Sequence, residues 1–431
     1  MENVPAYKLV MERRGVYAGD VNSFEDFQKL PVMDKQNTFK EFNISELCIN
    51  GRLPKLASVL TSSGHSGTFA FGLTTIEKAS ETVKWIDDFL DSVFSVRSVP
   101  TLLINCLPMG VKVFTDACTL AETSVRADMA IGLVKEFGQH FGQIIIVGET
   151  AFIKHTLELG RSVHVNWKAL KVHLIVGEEP LAENARKYLE NLLGVVDENS
   201  STGIIFSSMG IAEIGLNLFA EVSPSRVLIS LRRIFHDNCE LRNLAFGPRL
   251  WVPSLFTYDP NRILVEFDLE ERLLITTLDA SLPVPLIRYS TGDKGAFFHP
   301  SEQLKKAISL AGLSLSEFCS LPCVTIAGRG HCAKAGKSEI FPEAVKEGIY
   351  YDGELAEMTT ANFRIIPGKD NGIVRIQLCP KVSPSPGVNR SYHRAIARYV
   401  DAPFSVSCER YEQFGSGMSL DYERKFDYLG M

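Results

Sequence analysis

The stretch Lys171–Gly194, KVHLIVGEEPLAENARKYLENLLG, decides how the rest of the chain is read. Val172-His173-Leu174-Ile175-Val176 is a short β-branched run of the length of one buried strand. It stops at Gly177-Glu178-Glu179. Pro180 then suits the first turn of a helix, where its missing N–H leaves nothing unsatisfied. Leu181–Leu193 has helical apolar periodicity, and Gly194 closes it. The same alternation continues on both sides. Leu102–Leu107 reads as a buried strand ending at Pro108-Met109-Gly110, and Thr123–Phe137 as a helix closed by Gly138. Ile144–Val147 is a strand ending at Gly148-Glu149, and Gly203–Phe206 one ending at Ser207-Ser208-Met209-Gly210. Apolar strands alternating with helices predict a mostly parallel sheet with helices on both faces. In such sheets ligands gather beyond the carboxyl ends of the strands, which is where these Gly/Glu/Ser clusters fall.

Outside this block the texture differs. Residues 1–55 read as a helical lead-in, with Ser23 as a helix cap, Asp26 three residues on, and Pro31 ending the run. Ile76–Phe94 is a further helix. From Arg262, Ile263–Phe267 and Leu273–Thr277 read as antiparallel strands of a small β meander, and Ser301–Leu310 as a short helix. The tail from Gly330, with two proline-rich breaks, reads as a small α+β domain of about 100 residues. The expected architecture is therefore α/β. A large N-terminal domain over 1–328 is followed by a small α+β domain over 329–431.

The chain has 431 residues, 45 of them basic and 51 acidic, for a formal charge of −6. That balance gives no electrostatic case for nucleic acid or a membrane surface. No run approaches the roughly 20 apolar residues of a membrane span. MENVPAYKLVMERRG lacks the apolar core of a signal peptide. Nine scattered cysteines without a CxxC pair fit reduced thiols in the cytoplasm. Cys106 and Cys118 read as buried apolar fillers.

Two polar stretches carry chemistry. Thr61–Gly67, TSSGHSG, follows a candidate strand Leu56–Leu60 and combines hydroxyls with glycines, so that converging N–H groups could hold phosphate oxygens. Pro285–Asp293, PLIRYSTGD, reads as an apolar strand entering a turn whose carboxylate could accept both hydrogen bonds of a ribose diol. A plain surface turn explains either stretch taken alone. No GxxxxGK[ST] occurs, which excludes a Walker-type ATPase.

In sequence order TSSGHSG, GEEP, SSMGIAE, RYSTGD and Gly328-Arg329 resemble the adenylate-forming enzymes, and within them the phenylacetate–CoA ligases and the related acyl-protein synthetases. The resemblance covers nearly the whole chain. SFEDFQKLPVMDKQNTF is similar to the opening segment of that branch, and GRGHCAKAGKSEIFPEAV to its hinge. It implies ATP-dependent activation of a small-molecule carboxylic acid to an acyl-adenylate, then transfer to a thiol, with coenzyme A as the simplest acceptor. A phosphopantetheine carrier, a protein cysteine, or nucleotide binding without adenylation are the alternatives. Monomer and homodimer both remain open.

By the same resemblance Thr61, Ser62, Ser63, Gly64, Ser66 and Gly67 would hold ATP phosphates, and Gly177, Glu178 and Glu179 would line the adenine pocket with Ser208, Met209 and Gly210 beside it. Asp293 would bind the ribose, Arg329 the ribose or phosphate, and Glu213 Mg²⁺. Lys425 would be the adenylation lysine, although an exposed tail lysine is an equal reading. Three departures stand out. Thr68 and Phe69 follow Gly67 where a lysine is usual, His65 replaces a threonine, and Met209 replaces an aromatic. His65 is either a phosphate donor or a tolerated loop residue. Some relatives in this branch carry a structural zinc, but Glu221 stands at the first cysteine position, and His236, Cys239, Cys323 and Cys332 lack zinc spacing, so none is expected. The apolar candidates for the acid pocket are Asn105–Phe114 and Leu216–Phe219.

Overall fold

The structure, a computed structural model, describes residues 2–62, 67–108, 110–195, 202–222, 226–313, 321–330, 332–414 and 427–429. Its centre is one 11-stranded sheet. From one edge the strands run Ile263–Phe267, Arg272–Thr277, Tyr289–Phe297, Cys323–Ile326, Ser254–Tyr258 and Gly215–Ala220. Ile205–Ile211, Val172–Val176, Gln143–Gly148, Thr101–Asn105 and Thr119–Glu122 complete it. The first six pair antiparallel and the last five parallel. Ile205–Ile211 belongs to both halves, parallel to Val172–Val176 and antiparallel to Gly215–Ala220.

The parallel half is buried on both faces, and the period of two explains how. Leu102, Ile104, Ile144 and Ile146 point to helices Ala127–Phe137, Thr150–Ser162 and Glu183–Leu193. Leu103, Ile145 and Ile175 point the other way, to Ile86, Leu90 and Phe94 of helix Ile76–Phe94. That helix has the predicted limits, because Thr75 caps its start through Lys78 N and Ser95 leaves it in the left-handed region. Ser23 caps Phe24–Gln28 through Asp26 N, as its spacing predicts.

Three expectations change. The strand read as ending at Phe206 runs on to Ile211. Its parallel partner stops at Val176 opposite Ser207, while Gly215–Ala220 continues the ladder on the other side. The meander is not separate, since Tyr289–Phe297 and Cys323–Ile326 join it to the main sheet. In PLIRYSTGD the order is reversed. Pro285–Arg288 is not a strand, and Asp293 lies within strand Tyr289–Phe297 at a register shift between the pairs Arg272↔Lys294 and Leu274↔Ser290. Gly292, at φ +84°, accommodates that bulge.

In the C-terminal part, strands Thr359–Ile366, Gly372–Leu378 and Phe404–Glu409 form a mixed sheet. Helices Pro342–Ile349 and Pro386–Ile396 pack with it, and their apolar residues join the same cluster as the three helices on the large sheet. Polar contacts reinforce this seam. Helix Glu183–Leu193 has no cap from Ala182; instead Glu347 accepts from Glu183 N at 2.9 Å and Asn184 N at 3.0 Å. One segment thus caps a helix of the other. Lys154 Nζ donates to Thr359 O at 2.8 Å.

Candidate active site

A cavity of about 360 Å³ opens at the carboxyl ends of the parallel strands, where the strand direction changes. The turn after Ile211 presents Glu213. The hairpin of Leu56–Thr61 and Phe71–Thr75 lies directly against this turn, because a Cβ on Gly72 would be 2.0 Å from Ala212 O. Ser62 N donates to Ala70 O, and Ala70 N to Ser62 Oγ, each at 2.9 Å, which closes the stem of the TSSGHSG segment. Thr61 and Ser62 line the cavity, whereas Gly67 is exposed and not part of its wall. Ser63, Gly64, His65 and Ser66 lie outside the described residues, as does Lys425.

The Glu213 side chain is 3% exposed. Tyr289 Oη donates to its Oε1 at 2.7 Å, and Lys35 Nζ lies 3.4 Å from the same oxygen. Burial and the Glu213 charge push the Tyr289 hydroxyl far above its ordinary value, so it stays a donor.

Gly177, Glu178, Glu179, Ser208, Met209 and Gly210 line the next part of the wall, with Asp293, Gly328 and Arg329. Glu178 has φ +70°. Asp293 N is held by Thr291 Oγ1 at 3.1 Å. The crossing to the C-terminal part is tight at Gly328, whose φ is +75° and where a Cβ would meet Glu343 Oε1 at 2.2 Å.

Helix Pro342–Ile349 and residues 427–429 supply the remaining polar wall. Lys346 forms an ion pair with Glu179, and Tyr428 Oη donates to Glu179 Oε2 at 2.9 Å. The Lys346 ammonium also lies 4.3 Å from the centre of the Tyr428 ring. Burial opposes the Glu179 charge, but Lys346 outweighs it and holds the carboxyl below its ordinary value. Glu149 behind it is raised well above the usual range by burial and by Glu179. Glu343 is pushed up to about 7 by burial, with Glu179 and Asp293 adding to the effect and Lys346 opposing it.

The other end of the cavity is apolar. Ile86, Phe89 and Leu90 come from one face of helix Ile76–Phe94, and Leu103, Val147 and Ile175 from the sheet. Leu107, Val111 and Val113 from the predicted run Asn105–Phe114 line it, as does Leu216. Phe114 is exposed and Phe219 belongs to the core, so neither forms this wall. Cys106 is buried, with its thiol pushed up to about 11 by that burial.

Sequence reading missed Lys35, Tyr289, Glu343, Lys346 and Tyr428 as site residues. Lys35 and Lys346 lie within or just beyond the segments similar to the opening and hinge segments, so a signal existed. Tyr428 had none. Glu221, at the position of a zinc-ligating cysteine in some relatives, bridges Arg186 and Arg232 in the interior.

By sequence, no family model and no curated protein matches the chain. By structure, it is similar to 2-hydroxyisobutyryl-CoA ligase in the postadenylation state with 2-HIB-AMP, with TM-score 0.68 and 12% identity over 99% of this chain and 85% of that one. Against the same ligase with 2-HIB-AMP and CoA in the thioesterification state the TM-score is 0.54, at the same identity and coverage. Anthranilate-CoA ligase AuaEII in complex with anthranoyl-AMP gives TM-score 0.54 and 13% identity over 86% of this chain and 66% of that one. The alternation that begins at Val172 thus builds the fold of the adenylate-forming acyl-CoA ligases.

Proposed function

We propose that the protein activates, with ATP, a carboxylic acid whose remainder is uncharged and apolar, and passes the acyl group to a thiol, coenzyme A first among them. The observation that carries this reading is the single cavity joining a polar end, with Glu213, Asp293 and Arg329, to a wing of aliphatic side chains and Phe89. The substrate carboxylate attacks the α-phosphorus, the α–β phosphoanhydride bond breaks, and pyrophosphate leaves. The thiol, losing its proton, then attacks the acyl carbon and AMP departs. The protein's share is positioning and charge stabilisation.

Asp293 would accept from the ribose hydroxyls, and Arg329 would meet the ribose or a phosphate. Gly177, Glu178, Glu179, Ser208, Met209 and Gly210 would line the adenine side, and Thr61 and Ser62 the phosphate side. Glu213 fits Mg²⁺, because a single buried carboxylate suits an ion completed by phosphate oxygens and water. Among the described residues no group of three or more His, Cys, Asp or Glu could hold a metal by itself. When bound, Mg²⁺ would neutralise phosphate charge.

Residues 1–328 and 329–431 would act as two units turning near Arg329, with Lys425 serving adenylation. The pose described here supports an adenylate-side arrangement, given TM-scores of 0.68 and 0.54 against two states of one ligase. Among the described residues no helix is long and apolar enough to cross a membrane.

The test is ATP–pyrophosphate exchange across aryl, fatty, short-chain and dicarboxylic acids, followed by CoA consumption. Exchange is expected with neutral apolar acids and not with dicarboxylates. Exchange without CoA consumption would shift the acceptor to a carrier protein or cysteine. ATP binding without exchange for any acid would overturn the reading.

A further inference from the structure

We infer that Lys35, from the N-terminal lead-in, supplies the cation that binds the pyrophosphate half of ATP; this rests on the adenylation reading. The leaving pyrophosphate concentrates negative charge, yet Thr61–Gly67 contains no lysine or arginine. Three lysines or arginines line the cavity: Lys35, Arg329 and Lys346. Lys346 is held by Glu179, and Arg329 follows the crossing at Gly328. Only Lys35 among these three stands next to Glu213.

The backbone fixes this placement from two sides. Met33 bridges to Tyr289, with Met33 N donating to Arg288 O at 3.1 Å and Ser290 N to Met33 O at 2.7 Å. On the other side Gln36 Nε2 donates to Thr68 Oγ1 at 3.3 Å, directly after the glycine that ends the TSSGHSG segment. Asp34 tightens the turn between them by accepting from Gln36 N at 2.8 Å and Asn37 N at 2.9 Å. The lysine therefore reaches the phosphate side from another part of the chain, fastened to the residue that immediately follows the loop.

Its ion pair explains its readiness. At 24% side-chain exposure and 3.4 Å from Glu213, Lys35 neutralises a buried carboxylate while the nucleotide is absent. Glu213 would then hold a divalent ion brought with the triphosphate, and the flexible lysine stem would let the Lys35 ammonium turn to the phosphate oxygens. Lys35 then favours ATP and pyrophosphate over AMP.

Calorimetric titration of the full chain with Mg²⁺–ATP, Mg²⁺–pyrophosphate and AMP tests this on wild type, Lys35→Met and Lys35→Arg. Lys35→Met should weaken ATP and pyrophosphate about 10- to 100-fold, the factor of a lost charged hydrogen bond, and leave AMP within about twofold. Lys35→Arg should recover most of the loss. Equal weakening of AMP and ATP, or no change in pyrophosphate, overturns the assignment. Should Lys35→Met unfold, a failure of the folded arginine variant to bind pyrophosphate better than AMP overturns it instead. Failure of the adenylation reading is distinct, because it is read on the wild type as the absence of ATP–pyrophosphate exchange with any acid, whatever the Lys35 variants bind.

Discussion

Glu183, Arg186, Glu221 and Arg232 are sealed beneath the sheet, with side chains at most 1% exposed. Glu179, Lys346 and Tyr428 line the wall of the cavity, with Glu149 buried behind Glu179. The first group is balanced, two carboxylates against two guanidinium ions. Several of its remaining polar atoms find backbone partners, whereas Arg232 Nε is buried without one. Arg186 Nη1 donates to Ile205 O, Arg232 Nη2 to Leu181 O at 2.7 Å, and Ser207 N to Glu221 Oε2 at 2.6 Å. It thereby fixes the start of the strand that carries Ser208 and Met209. The second group shares one ammonium between two carboxylates, and its members come from four distant segments. A balanced, sealed set within one region of chain is framework. A set short of a cation, spread across the seam between the two parts, can be opened at less cost.

Pressing on each group should separate them. The largest effect is expected from Arg186→Met, which leaves buried carboxylates without a partner. Stability should fall by about 3–5 kcal/mol, read by denaturant unfolding. A loss under about 1 kcal/mol would contradict the framework role. Lys346→Met should cost less, about 1–3 kcal/mol, because Glu179 can take up a proton as Glu149 does. It should also change adenylation and thiol transfer by unequal factors. A stability loss equal to that of Arg186→Met would erase the distinction.

Particular groups in the two regions should also respond oppositely to pH. The guanidinium ions hold Glu183 down at about 2 against the burial that would raise it. Its contribution is therefore present above the ordinary carboxylate value near 4.5 and lost as pH falls toward 2. At the seam Glu343 is raised to about 7. Folded protein then binds more protons than unfolded between pH 4.5 and 7, so this stability declines as pH rises through that window. His236 acts in the same direction. Burial lowers its pKa, but Glu347 and Asp237 outweigh this, and the net raised value gives stability that is lost as pH rises above about 6.5. Unfolding between pH 5 and 8 should show a decline that Glu343→Gln flattens below pH 7. An unchanged slope in that variant would remove Glu343 as its source. The smallest effect should come from Tyr428→Phe, about 0.5–1.5 kcal/mol for one hydrogen bond. The ring would keep its stacking on Phe363, with centroids 4.5 Å apart, and double-mutant unfolding with Lys346→Met should show coupling.

Local rules carried much of this into the sequence. Ile76–Phe94 was legible to the residue from its apolar periodicity, and the Thr75 cap and left-handed Ser95 fall where that periodicity begins and ends. The strand Ile205–Ile211 was legible only in its parallel half, since its continuation depends on an antiparallel partner that follows it. Asp293 was recognisable as a candidate ligand residue, but its place within a bulged strand was not, because a bulge is a property of two paired strands. Lys35 sat in a segment read as a helical lead-in and as similar to a family opening, and neither reading gave the lysine a role.

The sequence by itself determined the alternation of strands and helices, the burial of both faces of the parallel half, and the order in which Thr61, Gly177, Ser208, Glu213, Asp293 and Arg329 occur. Those features follow from periodicity and turn chemistry, which act over a few residues. Only the tertiary structure decided that Lys35 meets Glu213, that Lys346 and Tyr428 share Glu179, and that Glu347 caps a helix far from it in the chain. Charges at such separations have no periodic signature. Their pairing is set by how the layers pack, and burial then fixes which of them keep a proton.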